Sequence, residues 1–378
     1  MLRAVRILID YRPALVARSG VGEYVHELAR ALAALPPPAD GPDCVTLFSS
    51  SWAHRVDRTG LDALSVLDRQ VPVRVLNYAW HRWEWPPVEL LTRTPVDVAH
   101  SLHPLLMPAR HAAQVVTVHD LDFLRHPERT RAEIRRDYGP LAADHVRRAD
   151  HVIVNSRFTA EEVTGTFGVP EDRLTVCSPG APPWPARTSP AQGGTILFLG
   201  TLEPRKNVGA LLDAYAALLS RRSEVPDLVL AGQPTQAASP WLARLDSPPL
   251  AGRVRVLGYL PPQNRRTVFE STALLVIPSF HEGFGMPALE AMAAGVPVVA
   301  SARGALPEVL GDAGLLVEPT ADALAAGIER VLTRPDVAQT MIDRGVERAR
   351  DYSWHASAVA ARTAYRKAVE RRRARVHG

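Results

Sequence analysis

The sequence predicts an α/β protein of two domains, each a parallel sheet wrapped by helices. Three observations lead there. Short apolar runs recur between segments of helical period, the pattern of strands joined by crossover helices. The pattern runs twice, with one break rich in proline and glycine between the halves (PGAPPWPARTSPAQGG, 179–194). A chain of 378 residues also suits about two domains of ordinary size.

In the first half the strand candidates are VRILID (5–10), VTLF (45–48), VPVRVL (71–76), DVAHSL (97–102), VVTVHD (115–120) and HVIVNS (151–156). Between the first two, Val21, Val25, Leu28, Ala29 and Leu32 share one face of a helix. After the break the strands are TILFLGT (195–201), DLVLAG (227–232), VRVLGY (254–259), ALLVIPS (273–279), VPVVAS (296–301) and LLVEP (315–319), with a helix over 207–220. The expected layout is a first domain over 1–180, a linker over 181–194 and a second domain over 195–352. A basic helix over 353–378 is expected to pack back on the first domain. Open parallel sheets bind ligands outside the carboxyl ends of their strands, so two such domains imply a cleft lined by strand-to-helix loops.

Composition narrows the function. With 46% hydrophobic and 22% charged residues the chain reads as an ordinary globular protein. No apolar run approaches the ~18–20 residues that span a bilayer, and the N-terminus has no signal-peptide pattern, so a cytoplasmic protein is expected. The two cysteines, Cys44 and Cys177, exclude a disulfide framework and a cysteine-type zinc site. A net charge of +4 favours acidic partners. Residues 125–148 carry seven arginines against four acids, and 366–375 carry six basic groups against one acid, which suits peripheral contact with an anionic membrane. No aromatic platform interleaves with these charges, so nucleic acid is not an expected partner. Lysine occurs only at Lys206 and Lys367, which singles out Lys206 in a chain whose default cation is arginine.

The chemistry concentrates in two stretches. In PSFHEGFGMPALEAMAAGVP (278–297) a strand ends, a turn follows (Glu282, Gly283, Phe284, Gly285), and a helix starts near Pro287 and ends at Gly295. Gly283 and Gly285 permit close backbone approach, and the helix N-terminus offers unpaired N–H groups to a phosphate. Glu282 and Glu290, eight residues apart, are placed to accept hydrogen bonds from different hydroxyls of one elongated ligand. In FLGTLEPRKNVGALLDAY (198–215) a strand ends at Gly200 and Thr201, and Arg205 and Lys206 precede a helix. Cations at a strand's carboxyl end beside a helix N-terminus suit a diphosphate. Asp120, Leu121 and Asp122 spell a D-x-D, a tripeptide common by chance, and no metal site is expected. Gly20-Val21-Gly22 lacks the third glycine of a dinucleotide fingerprint, since Val25 stands there.

These stretches resemble the retaining glycosyltransferases of family 4, whose E-x7-E signature matches Glu282 and Glu290. GTLEPRKN (200–207) and PEVLGDAGLLVEP (307–319) are similar to the branch of bacterial O-antigen and exopolysaccharide mannosyltransferases. The resemblance implies the GT-B fold, two Rossmann-like domains facing each other across a cleft. The C-terminal one would bind the nucleotide sugar and the N-terminal one the acceptor. Arg205 and Lys206 would hold the diphosphate, Glu290 the ribose and Glu282 the donor sugar. Gly258 and Tyr259 would belong to the base-reading loop. Gly20 and Gly22 would form the glycine loop near donor phosphate and sugar, and His119 would stand near that sugar. Many relatives carry an arginine where this chain has Thr201. The implied donor is GDP-mannose, with UDP- or dTDP-sugars as alternatives and no further cofactor. The acceptor would be a glycan or a lipid-linked glycan. A nucleotide-sugar epimerase and a degenerate, non-catalytic binder of nucleotide sugars are the alternative readings.

Overall fold

The computed structural model describes all residues except 1–3, 16, 17, 19, 39, 40, 128–131, 192 and 378. The chain forms two compact units, one from Met1–Gly180 and Ser353–Gly378, the other from Ala181–Tyr352.

In the first unit the described residues form a seven-stranded sheet. Its strands are β1 (Arg6–Asp10), β2 (Cys44–Ser50), β3 (Ser65–Arg69), β4 (Val98–Ser101), β5 (Ala113–Val118), β6 (His151–Val154) and β7 (Leu174–Val176). Their order is β3-β2-β1-β4-β5-β6-β7, every pairing parallel. Successive strand residues face opposite sides, so one run serves two cores. Ile7 and Ile9 pack with Tyr24, Val25, Leu28 and Leu32 of the helix Val21–Ala34. Leu8 points the other way, to Phe48, Leu76 and Trp80. The helix Trp354–His377 closes the first face with Ala358, Ala361, Ala364, Tyr365 and Ala368, a stripe small enough for close approach. Tyr365 secures it through a 2.9 Å hydrogen bond to Nδ1 of buried His100.

One sequence expectation fails here. The run 71–76 is not a strand: Val73–Trp83 is a helix with Pro72 at its N-cap. V-P-V-R-V-L alternates like a strand, but burial falls on Leu76 and Trp80, four residues apart, so the helical period wins. The third strand of the sheet is β3, just upstream, which the short motif SVLDR did not announce.

The second unit repeats the plan with β8 (Thr195–Leu199), β9 (Leu228–Ala231), β10 (Val254–Gly258), β11 (Thr272–Ile277), β12 (Val298–Ser301) and β13 (Leu315–Val317). Its parallel order is β10-β9-β8-β11-β12-β13. Ile196 and Phe198 pack on the helix Val208–Arg221, while Leu197, Leu275 and Ile277 pack on the helix Met286–Ala293. The proline-rich segment joins this unit through Arg187, whose guanidinium donates to the carbonyls of Gly295, Thr272 and Ala273.

In both units the chain steps outward over three strands and then returns to the far side of the first. The reversal falls between β1 and β4 in one sheet and between β8 and β11 in the other. Such a reversal opens a crevice beyond the carboxyl ends of the two neighbouring strands.

Candidate active site

The reversal between β8 and β11 gathers the residues singled out in the sequence. After β8 the chain makes a short turn, Pro204–Lys206, closed by Asn207 in left-handed conformation at φ 54°. The Asn207 amide donates to Pro278 O at 3.0 Å and Pro319 O at 2.9 Å, pinning the turn to the segments that follow β11 and β13. The Phe280 amide donates to Arg205 O at 2.9 Å, so the two loops are joined at the backbone as well.

Lys206 Nζ donates to Glu282 Oε1 at 2.6 Å, and Ser279 Oγ donates to the same oxygen at 2.7 Å. Arg205 lies 3.7 Å from Glu282 Oε2 and donates to His281 O and to Glu203 Oε1. Burial by itself would raise the Glu282 carboxyl, but Lys206 and then Arg205 outweigh it and hold it below the usual range. Glu282 is therefore a fixed anion between two cations. Its backbone is held just as tightly: Gly304, at φ 61°, passes so close that a Cβ there would lie 2.3 Å from Glu282 O.

Gly285 caps the helix Met286–Ala293 at φ 95°, and a Cβ on it would meet Leu306 at 2.7 Å. The helix ends on left-handed Gly295. There Val296 N bonds Ala291 O and Gly295 N bonds Met292 O, a Schellman closure. Glu290, inside this helix, is buried and not solvent-facing. Oε1 accepts from Arg265 at 2.6 Å, whereas Oε2 is buried with no hydrogen-bond partner among the described residues. Burial raises the Glu290 carboxyl, and Arg265 offsets that only in part.

The structure brings Arg205, Lys206 and Glu282 into direct contact. Glu290 follows eight residues on, and Gly200 and Thr201 leave β8 beside the cationic turn. Gly283 and Gly285 flank Phe284, whose ring is buried edge-on against Tyr352 at 5.5 Å, so Phe284 offers a ligand its backbone only. Gly258 ends β10 at φ 69°, with Tyr259 next to it. Gly20, Gly22 and His119 belong to the other unit. Gly20 precedes the helix Val21–Ala34 at φ 50°, Gly22 is buried in its first turn, and His119 follows β5. The His119 ring meets Tyr24 edge-on at 5.1 Å and hydrogen-bonds Leu102 O at 3.2 Å; burial pushes its pKa down to about 4, so it is neutral at pH 7. Within the D-x-D the Asp122 amide donates to Asp120 Oδ1 at 3.2 Å, a local turn. Sequence reading missed Ser279, Asn207 and Arg265. Asn207 had a signal, a favoured capping residue at a helix start. Arg265, within QNRR, had none.

The fold is similar to that of sucrose-phosphate synthase from Thermosynechococcus elongatus. The match has a TM-score of 0.77 at 20% identity and covers 97% of this chain and 99% of that one. Two parallel-sheet α/β domains of this kind are the fold class GT-B. Residues 18–183 match the family description "Glycosyltransferase Family 4", and residues 193–334 match "Glycosyl transferases group 1". O-antigen chain mannosyltransferase B of Escherichia coli is 34% identical over 262 residues, 66% of this chain and 68% of that protein. D-inositol 3-phosphate glycosyltransferase of Corynebacterium efficiens is 30% identical over 286 residues, 70% of this chain and 66% of that protein. The chain belongs to glycosyltransferase family 4, group 1. The epimerase reading is not favoured, because these relatives are transferases.

Proposed function

We propose that this glycosyltransferase moves a mannosyl group from GDP-mannose to a hydroxyl of a glycan or lipid-linked glycan, with retention at the anomeric carbon and without a metal. The observation that carries the reading is the convergence of Arg205, Lys206 and Glu282 at the sheet reversal of the second unit. The mannosyl assignment rests on the relative from Escherichia coli.

The residues take the following roles. Arg205 grips diphosphate oxygens in its plane and Lys206 acts as a compact charge, together stabilising the leaving group as the sugar becomes oxocarbenium-like. The N-terminus of the helix Met286–Ala293, with the backbone of Gly283, Phe284 and Gly285, adds N–H groups. Glu282 accepts from a sugar hydroxyl, Glu290 from the ribose, and Gly258 and Tyr259 face the base. Gly200 and Thr201 border the phosphates. Gly20 and Gly22 approach donor phosphate and sugar, and neutral His119 offers the sugar a hydrogen bond, not a charge. No enzymic nucleophile is invoked: the acceptor hydroxyl attacks on the face from which the diphosphate leaves, and a departing phosphate oxygen takes its proton.

The reaction is placed in the cytoplasm, with peripheral contact at an anionic membrane. Of the basic run 366–375, Arg371, Arg372 and Arg375 donate to protein oxygens. The run 125–148 falls partly outside the described residues. A better lipid-facing segment is the helix Val73–Trp83 with the turn after it. Val75, Tyr78, Trp83 and Trp85 are exposed there beside Arg74 and Arg82, a mixture suited to a headgroup boundary.

The decisive experiment separates the two glutamates. Glu290→Gln should weaken nucleoside diphosphate and intact donor alike, by about 1.5–3 kcal/mol for a charge-assisted bond. Glu282→Gln should leave diphosphate affinity nearly intact and impair transfer. Calorimetry and steady-state kinetics on both variants, with the wild type assayed after exhaustive EDTA treatment, read this out. Loss of diphosphate binding in Glu282→Gln alone reverses the donor's orientation, and loss of activity on chelation removes the metal-free mechanism.

A further inference from the structure

Glu290 presents an unusual arrangement. Its carboxylate is buried to about nine-tenths, yet only one of its oxygens has a protein partner among the described residues. That partner, Arg265, is itself a buried guanidinium, with 8% of its side chain exposed, and NH1 stands 2.6 Å from Oε1. Buried arginine and glutamate are found almost solely as partners. Removing one leaves the other an uncompensated charge in a poor solvent. Among the described residues Oε2 is an acceptor without a donor, the kind of buried group that a ligand or a water satisfies.

Arg265 also occupies an informative place. It lies in the helix Pro262–Glu270, which follows the edge strand β10 through Tyr259, Leu260 and the N-cap Pro261. Its ion pair therefore ties the element that follows β10 to the helix Met286–Ala293, which follows β11. One short helix carries both the exit of β10 and the group that sets the Glu290 carboxylate.

We infer that Arg265 is a positioning residue for the donor nucleotide: it holds Glu290 by Oε1, so that Oε2 is presented, charged and in one rotamer, to the ribose diol. Arg265 touches no donor atom in this scheme and acts through Glu290. The inference rests on the ribose role proposed for Glu290 and extends it to a second residue. Burial raises the Glu290 carboxyl and Arg265 lowers it, so the arginine favours the ionised form.

The test uses the full-length protein and whichever of GDP and UDP the wild type binds more tightly, alongside the 2′,3′-dideoxy form of the same nucleotide. Calorimetry between pH 6 and 8 gives the ribose contribution as the ratio of the two affinities. In Arg265→Met that ratio should fall about 10-fold or more, the size of one charge-assisted hydrogen bond. The residual ribose contribution should shrink further as pH is lowered, because a Glu290 without its cation protonates more readily. Arg265→Lys should recover most of the ratio, and donor KM should move more than kcat in both variants. Glu290→Gln should abolish the ratio. If Arg265→Met binds both nucleotides with the wild-type ratio and pH profile, Arg265 is only a packing residue and the inference is wrong. Should Arg265→Met fail to fold, the lysine variant decides: a folded Arg265→Lys whose ribose ratio is reduced and falls further as pH is lowered, with donor KM moved more than kcat, keeps the inference, and one with the wild-type ratio, pH profile and KM overturns it. An unchanged ratio in Glu290→Gln, or no binding of either diphosphate by the wild type, instead overturns the reading of the site on which the inference stands.

Discussion

Each unit places a charged cluster where its sheet reverses, and the two clusters are wired differently. Between β1 and β4, Asp10 is fully buried and grips Arg12 through both oxygens, with Nε at 2.7 Å and NH2 at 2.6 Å. The remaining arm of Arg12 donates to Asn77 at 2.7 Å, and its guanidinium lies over the Trp80 ring at 4.6 Å. His103 stands 3.6 Å from the same carboxylate. Every arm of that arginine is spent on the protein. Between β8 and β11, Lys206 meets one carboxylate oxygen and keeps further N–H donors on a rotatable ammonium. The same topology thus yields a closed cluster in one unit and an open one in the other. Fold position marks where a ligand site can stand, and the donors left over decide whether it is one.

The largest test of this contrast is Arg12→Ala. Leaving Asp10 buried and uncompensated should cost about 3–5 kcal/mol of stability, read as a lowered midpoint in urea. An unshifted midpoint would mean that the first cluster is open after all. Lys206→Ala should do the reverse: a normal melting temperature with kcat lower by roughly 10²-fold, the scale of one preorganised donor to developing charge. Unchanged kcat and KM in a folded variant would remove Lys206 from the mechanism.

A smaller effect concerns the pH dependence of the first unit. In the first unit burial depresses His100 to about 3 and His26, His119 and His151 to about 4. An unfolded histidine titrates near 6.5, so between about 6.5 and 4 the unfolded chain binds more protons than the folded one. Stability from these groups is present in full above about pH 6.5 and is lost as pH falls through that window. Replacing His100 by Gln should flatten the dependence by at most about 1.4 kcal/mol per pH unit, visible in urea midpoints taken from pH 7 to 5. An unchanged slope would show that His100 is not held neutral.

Much of this was legible in the chain because it is local. Strand, turn, helix and the residues between them follow from the period of apolar positions within short windows, which gave the two α/β halves, the Arg205–Lys206 turn and the spacing of Glu282 and Glu290. The period misled only over 71–76, where alternation in a short window masked a helix whose buried face extends to Trp80.

The tertiary structure decided what depends on strand order. That Asn207 pins the cationic turn to Pro278 and Pro319, that Ser279 and Lys206 share one oxygen of Glu282, and that Arg12 closes on Asp10 beside His103 all follow from β11 lying next to β8 and β4 next to β1. Arg265 is the clearest case. In sequence it is one of two adjacent arginines on a polar helix, and Arg266 does remain at the surface, paired with Glu270. Only the packing of that helix against the one carrying Glu290 buries Arg265 instead. A buried guanidinium must find a carboxylate, and its choice of Glu290 was set by neighbours 25 residues away in sequence.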